Sequence, residues 1–132
     1  MTGKNKWRFY SRNADVQLTP HFHLHEFECN CKKCPCTWIK KDLLARLQAF
    51  RNKLGRPIII NSAYRCPEHN EAEGGVERSY HQLGMAIDIK VKGMTPEQLS
   101  TAADPFFSGV GLYNSFVHVD VRKNPKRFDN RS

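Results

Sequence analysis

The 132-residue chain reads as one α+β domain: a small antiparallel sheet with one long helix packed on one face, and shorter helices beside it. Two stretches predict this. Between Thr37 and Gly55, the residues Ile39, Leu43, Leu47, Phe50 and Leu54 recur at three- and four-residue intervals, the apolar stripe of an amphipathic helix. From Phe116 to Arg122 apolar and polar residues alternate without a break, the period of a strand with two different faces.

The elements follow in order. Residues 1–20 are polar and irregular, end in Thr19-Pro20, and read as an arm on the surface. His21 to Phe27 alternates, with Phe22 and Leu24 on the face that docks on the core. A cysteine-rich loop, 29–36, follows. Thr37 is the expected N-cap of the long helix, and Gly55, behind basic residues in the last turns, its stop. Ile58-Ile59-Ile60 reads as a buried strand ending at Asn61-Ser62-Ala63-Tyr64-Arg65. After the polar segment from Pro67 to Gly75, the run from Gly84 to Lys90 is strand-like. Thr95-Pro96-Glu97-Gln98 is a capped helix start, with Pro96 at the first helical position. Gly109 to Tyr113 is a strand that Asn114-Ser115 turns into the Phe116–Arg122 strand. The domain is expected to span 21–122, with a loose basic tail at 123–132.

Two of these strands carry unusual residues. Ala86, Asp88 and Lys90 share one face of the first, Met85, Ile87 and Ile89 the other. An acid in the middle of an apolar strand is costly to bury unless it is paired or binds a metal. On the second strand, Val117, Val119 and Val121 face the core, while Phe116, His118, Asp120 and Arg122 form the opposite row. His81, Asp88 and His118 together make a set of two imidazoles and a carboxylate. A catalytic zinc takes three such ligands and keeps a fourth position for water. A sheet bearing a zinc site, with the long helix on its other face, is therefore the expected architecture.

Four of the five cysteines are crowded into Cys29-Asn30-Cys31-Lys32-Lys33-Cys34-Pro35-Cys36. Cys29, Cys31, Cys34 and Cys36 suit a second, structural metal, or else remain free thiols in a surface loop. His21, His23 and His25 lie close enough in sequence to replace one thiolate. Structural zinc sites usually draw ligands from two separated segments, which counts against four from eight residues.

No apolar run approaches the roughly 18 residues of a membrane span, so membrane insertion is not expected. The net charge of +8 favours polyanionic partners such as nucleic acid, anionic lipid or cell-wall polymer. Its lysines and arginines gather at the two ends and between Lys32 and Lys53, without interleaved exposed aromatics, so a specific nucleic-acid partner is not expected. The basic stretch from Met1 to Lys6 leads into no apolar signal region, so synthesis in the cytoplasm without a signal peptide is expected, as is a monomer.

Three runs carry a resemblance: S-A-Y-R-C-P-E-H-N from Ser62, G-G-V-x-x-S-Y-H-x-x-G-M-A-I-D from Gly74, and the segment Gly109 to Arg122 with its V-H-V-D-V-R. They resemble the zinc D-alanyl-D-alanine carboxypeptidase family. That family includes the L-alanyl-D-glutamate endopeptidases that bacteriophages use as endolysins. More widely, the chain resembles the fold shared with lysostaphin-like peptidases and the hedgehog signalling domain. The resemblance covers roughly Phe22 to Arg122 and implies that His81, Asp88 and His118 hold zinc. It also implies that Arg65 grips a substrate carboxylate or carbonyl, with Tyr64 and Ser79 as further substrate-binding residues. A guanidinium matches a carboxylate with two parallel hydrogen bonds.

Relatives carry an acid or histidine as general base three residues before the last ligand; here that position is Ser115, which is no base at neutral pH. Asp120, on the same face as His118 and roughly 7 Å along it, is the expected catalytic substitute, or else it orients His118. Glu68, Glu71, Glu73 and Glu77 are the alternatives. The expected function is hydrolysis of peptidoglycan stem peptides, at D-Ala-D-Ala, L-Ala-D-Glu or a cross-bridge. The expected setting is a phage endolysin released from the host cytoplasm through a holin pore. The competing readings are a non-catalytic zinc-containing module that binds cell wall or virion, and a nucleic-acid-binding zinc protein built on the cysteines.

Overall fold

The computed structural model describes residues 6–12, 14–66 and 80–132, and the fold is α+β. Its centre is a five-stranded sheet of β5 (Ile59–Ser62), β6 (Ala86–Lys90), β8 (Val117–Asp120), β7 (Gly109–Leu112) and β9 (Lys126–Asp129), in that order. The pairs β5–β6, β6–β8 and β8–β7 are antiparallel, but β7–β9 is parallel. The sheet is therefore mixed rather than purely antiparallel. Two small sheets flank it: β1 (Trp7–Ser11) with β4 (Cys36–Lys40), and β2 (Gln17–Thr19) with β3 (Phe22–His23).

The alternation along β6 and β8 sorts their side chains. Ile87, Ile89, Val117 and Val119 join the core with Phe22, Leu24, Phe27, Leu99, Phe107 and the helix residues Leu43, Leu47 and Phe50. Asp88, His118 and Asp120 occupy the other positions of the pleat. Helix α1 runs Lys41–Leu54 and ends as expected at Gly55, whose φ of 70° allows its N–H to bond the Arg51 carbonyl at 3.0 Å. Helix α2, Pro96–Ala103, begins with the expected capping box: Gln98 N donates to Thr95 Oγ1 and Thr95 N to Gln98 Oε1. The β7–β8 hairpin closes through Tyr113 N to Phe116 O at 3.1 Å.

Two local expectations give way to strand pairing. Thr37 does not cap α1; it lies in β4, opposite Tyr10 of β1, with its side chain buried. Thr37 and Ile39 point inward and Trp38 outward, so the β-forming Thr-Trp-Ile run satisfies a period of two before the helix begins. Residues 7–11 and 17–19 are consequently strands rather than an irregular arm.

The basic tail is ordered as well. Arg127 donates to Asp104 Oδ1 and to the carbonyls of Ser108 and Phe107, which holds β9 beside β7. Arg131 pairs with Asp129 and Glu97. No helix among the described residues is long and apolar enough to cross a membrane.

Candidate active site

Strand register builds the site. Asp88 lies directly opposite His118 in the β6–β8 ladder, and His81 enters from the turn that precedes β6. Gly84, in that turn, has a φ of 70°, and a Cβ on it would lie 2.4 Å from the Trp38 carbonyl oxygen. Only glycine permits this turn, which seats the His81 loop against β4. One donor atom from each of His81, Asp88 and His118 lies within 4.8 Å of the others, and all three residues are buried.

The hydrogen bonds fix which ring nitrogens face inward. His81 Nδ1 lies 2.8 Å from the Ala63 carbonyl oxygen, which can only accept, so this nitrogen carries the hydrogen. His118 Nε2 lies 2.7 Å from Asp120 Oδ2 and carries its hydrogen for the same reason. The remaining nitrogens, His81 Nε2 and His118 Nδ1, then present lone pairs to Asp88 Oδ1, at 3.0 and 3.3 Å. Three electron-rich atoms converge on one point. Such an arrangement calls for a cation, and the donor set fits zinc with one coordination position left open.

The site's electrostatics point the same way. Burial alone raises the Asp88 carboxyl, but the adjoining His118 and His81 imidazoles outweigh it and hold the group well below the usual carboxylate range. Burial lowers the His118 ring, yet the neighbouring carboxylates of Asp120 and Asp88 outweigh it and raise the ring above an ordinary imidazole, so that a proton and a metal ion would compete for Nδ1. The pocket therefore draws positive charge.

Asp120 is not placed as a general base. It is fully buried, and its oxygens accept from His118 Nε2 and from Arg122 N, Nε and Nη2 at 2.6 to 3.0 Å. Burial raises its carboxyl, but the bonds from His118 and Arg122 prevail and keep it ionised well below the usual range. Asp120 holds the His118 ring, and Arg122, stacked 4.5 Å over the Tyr80 ring, holds Asp120. Glycines make room for this layer. A Cβ on Gly109 would fall 2.0 Å from Asp120 Oδ1, and one on Gly111 would fall 2.2 Å from the Phe128 ring, which also packs 5.6 Å from His118.

Arg65 lies at the site, donating from Nη2 to Asp88 Oδ2 at 2.9 Å and from Nε to Ser62 Oγ at 3.2 Å. Tyr64 is placed differently. Burial pushes its phenol up to about 12, and the thiols of Cys34, Cys36, Cys66 and Cys29 are among its neighbours. Ser115 is exposed in the β7–β8 turn. Ser79, Glu68, Glu71, Glu73 and Glu77 lie outside the described residues.

The cysteines do not gather as their spacing suggests. Cys29, Cys31 and Cys34 meet Cys66, whereas Cys36 opens β4 opposite Ser11. Pairing with β1 turns the chain away after Pro35, whose carbonyl accepts from Arg12 N at 2.8 Å. His21, His23 and His25 are not part of that cluster; His23 and His25 bond each other and Asp15, while His21 bonds Gln48. Sequence reading also missed the Ala63 carbonyl, which no side-chain pattern reveals. The Gly-Val-Gly of β7 was the visible signal for the crowded layer above it.

Residues 20–120 match the family described as Peptidase M15. The chain is 32% identical over 88 residues to the peptidoglycan L,D-endopeptidase MepK of Escherichia coli strain K12, a stretch covering 61% of this chain and 48% of that protein. The same figures hold for MepK of Escherichia coli O157:H7 and of Shigella flexneri. The chain spans about half the length of the curated relatives it matches. Since the family match runs through most of the chain, from before β3 to the end of β8, this protein belongs to the Peptidase M15 family.

Proposed function

We propose that this chain is a zinc-dependent peptidase acting on the stem peptides of bacterial peptidoglycan, at an L,D bond of the kind named for its relatives or at D-Ala-D-Ala. The observation that carries the reading is the convergence of His81 Nε2, His118 Nδ1 and Asp88 Oδ1, with the opposite nitrogen of each ring tied to a fixed acceptor. A zinc ion held by these three atoms supplies Lewis acidity, polarising the scissile carbonyl and acidifying water.

The chain's own residues do the rest. Asp120 and Ala63 hold the two rings in the tautomers that coordinate. Arg65 steadies Asp88 and stands at the site as the cation for a substrate carboxylate. Asp120 is enclosed by Arg122 and His118, so the proton carrier is sought among Glu68, Glu71, Glu73 and Glu77, which precede His81 in sequence. The net charge of +8 suits an anionic wall. A phage endolysin delivered from the host cytoplasm through a membrane pore is the setting this reading favours.

The test is digestion of purified peptidoglycan, with products identified by mass, for wild type and His118→Ala, each with and without chelator. The expected result is a defined peptide fragment from wild type alone, lost on chelation; its mass names the bond. Zinc bound at the three donors without any fragment would replace this reading with a wall-binding module.

A further inference from the structure

The second cluster lies outside the proposed catalytic site and is built from two separated segments. Cys29, Cys31 and Cys34 come from the loop between the 3-10 turn Leu24–Phe27 and β4, and Cys66 from the end of the segment that follows β5. Their sulfurs lie 3.2 Å apart for Cys31–Cys34, 3.7 Å for Cys29–Cys66 and 3.8 Å for Cys31–Cys66, and all four fall within 4.8 Å of one another. Four sulfurs around one zinc at about 2.3 Å stand about 3.8 Å apart at the edges of their tetrahedron. The cluster has that size and surrounds a common point.

Its surroundings suit thiolates. Lys33 N and Cys34 N point to Cys31 Sγ at 3.3 and 3.4 Å, and Cys66 N to Cys29 Sγ at 3.4 Å. Arg12 reaches Cys34 Sγ with Nη2 at 3.4 Å while the same nitrogen bonds the Cys29 carbonyl at 3.0 Å. Four thiolates around a divalent ion keep two negative charges, and the Arg12 guanidinium with these backbone N–H groups offsets them. Lys32, between the second and third cysteines, adopts a φ of 63°, a left-handed conformation that a non-glycine residue takes at a cost. The turn it makes aims Cys31 and Cys34 at the same point.

We propose that Cys29, Cys31, Cys34 and Cys66 bind a structural zinc ion in a closed tetrathiolate site. Four protein ligands leave no position for water, so this ion organises chain rather than reacts. What it organises is the rim of the other site. Cys66 directly follows Arg65, the residue bonded to Asp88, and lies three residues after Ala63, whose carbonyl fixes the His81 ring. The proposed ion thus ties that segment to the N-terminal loop and to Arg12. The inference does not depend on the peptidase reading, because the four sulfurs, not the reaction, carry it.

The experiment uses the full chain purified under reducing conditions, stripped of metal and reloaded with cobalt(II) alone. The expected result is the strong near-ultraviolet thiolate-to-cobalt absorption, kept in His118→Ala and in Cys36→Ser and lost in Cys66→Ser, with metal content lower by about one ion per chain in the last. All five cysteines should titrate as thiols in denaturant with chelator. Absence of the absorption from folded, reduced wild type would overturn the proposal, as would its loss in Cys36→Ser. Recovery of a single titratable thiol from protein prepared without reductant would also overturn it, in favour of two disulfides. The wild-type spectrum and thiol count decide the matter even if Cys66→Ser does not fold.

Discussion

His118 and Asp88 face each other across a β-ladder, whereas the four cysteines are gathered by turns and by a single residue arriving from another segment. In the first cluster the backbone is held by paired strands, and each imidazole has a second partner behind it. In the second, the sulfurs meet backbone N–H groups and one guanidinium, and the loop that carries them has no ladder of its own. The difference teaches how position is maintained. A sheet fixes the histidine site whether or not an ion is bound, which suits the proposed catalytic role. A loop site needs its ion to hold the chain.

Four substitutions sharpen or break this contrast. The largest effect is expected from His118→Ala, which removes a donor from the rigid cluster. On the proposed function, peptidoglycan hydrolysis should fall to background, while the thermal transition of the metal-free protein stays cooperative because β8 pairing persists. Next is Asp120→Asn. An outer partner of a metal-bound histidine typically contributes about 10- to 100-fold in metal affinity or activity, and that is the loss expected in a zinc titration of the variant. A complete loss of turnover with zinc affinity unchanged would instead restore Asp120 as the proton carrier.

Gly109→Ala comes third. Its methyl would meet Asp120 Oδ1, and that carboxylate is held by His118 and Arg122 and has little freedom to move aside. Chemical denaturation should show a loss of about 1–3 kcal/mol, the usual cost of overpacking. The smallest effect belongs to Cys36→Ser, outside both clusters, with a stability change of less than about 0.5 kcal/mol. A large loss there would mean that the cysteine loop is held by a different set of thiols.

What could be read from the chain follows the same physical line. Asp88 and His118 were legible because alternation along a strand is a local property, and two such strands that share a core face must also share the other. The Thr95 cap and the Asn114-Ser115 turn are likewise local. Thr37 was misread because its partner, Tyr10, lies far away in sequence, and a capping pattern says nothing about a competing strand. Cys66 is likewise distant in sequence from the other four cysteines, and only the return of β5 to the N-terminal loop brings it beside Cys29. The role of Asp120 turned on the company it keeps. An acid two residues from a histidine serves as base or as positioning group according to what seals it, and here Arg122 does.

The parallel strand β9 has a consequence for the order in which the molecule can be assembled. Phe128 covers Gly111 and packs near His118, yet it is synthesised after every other residue of the histidine cluster. A chain growing from its N-terminus presents β6, β7 and β8 before their cover exists. Until β9 has been made, Gly111 and His118 lack the cover that Phe128 gives them.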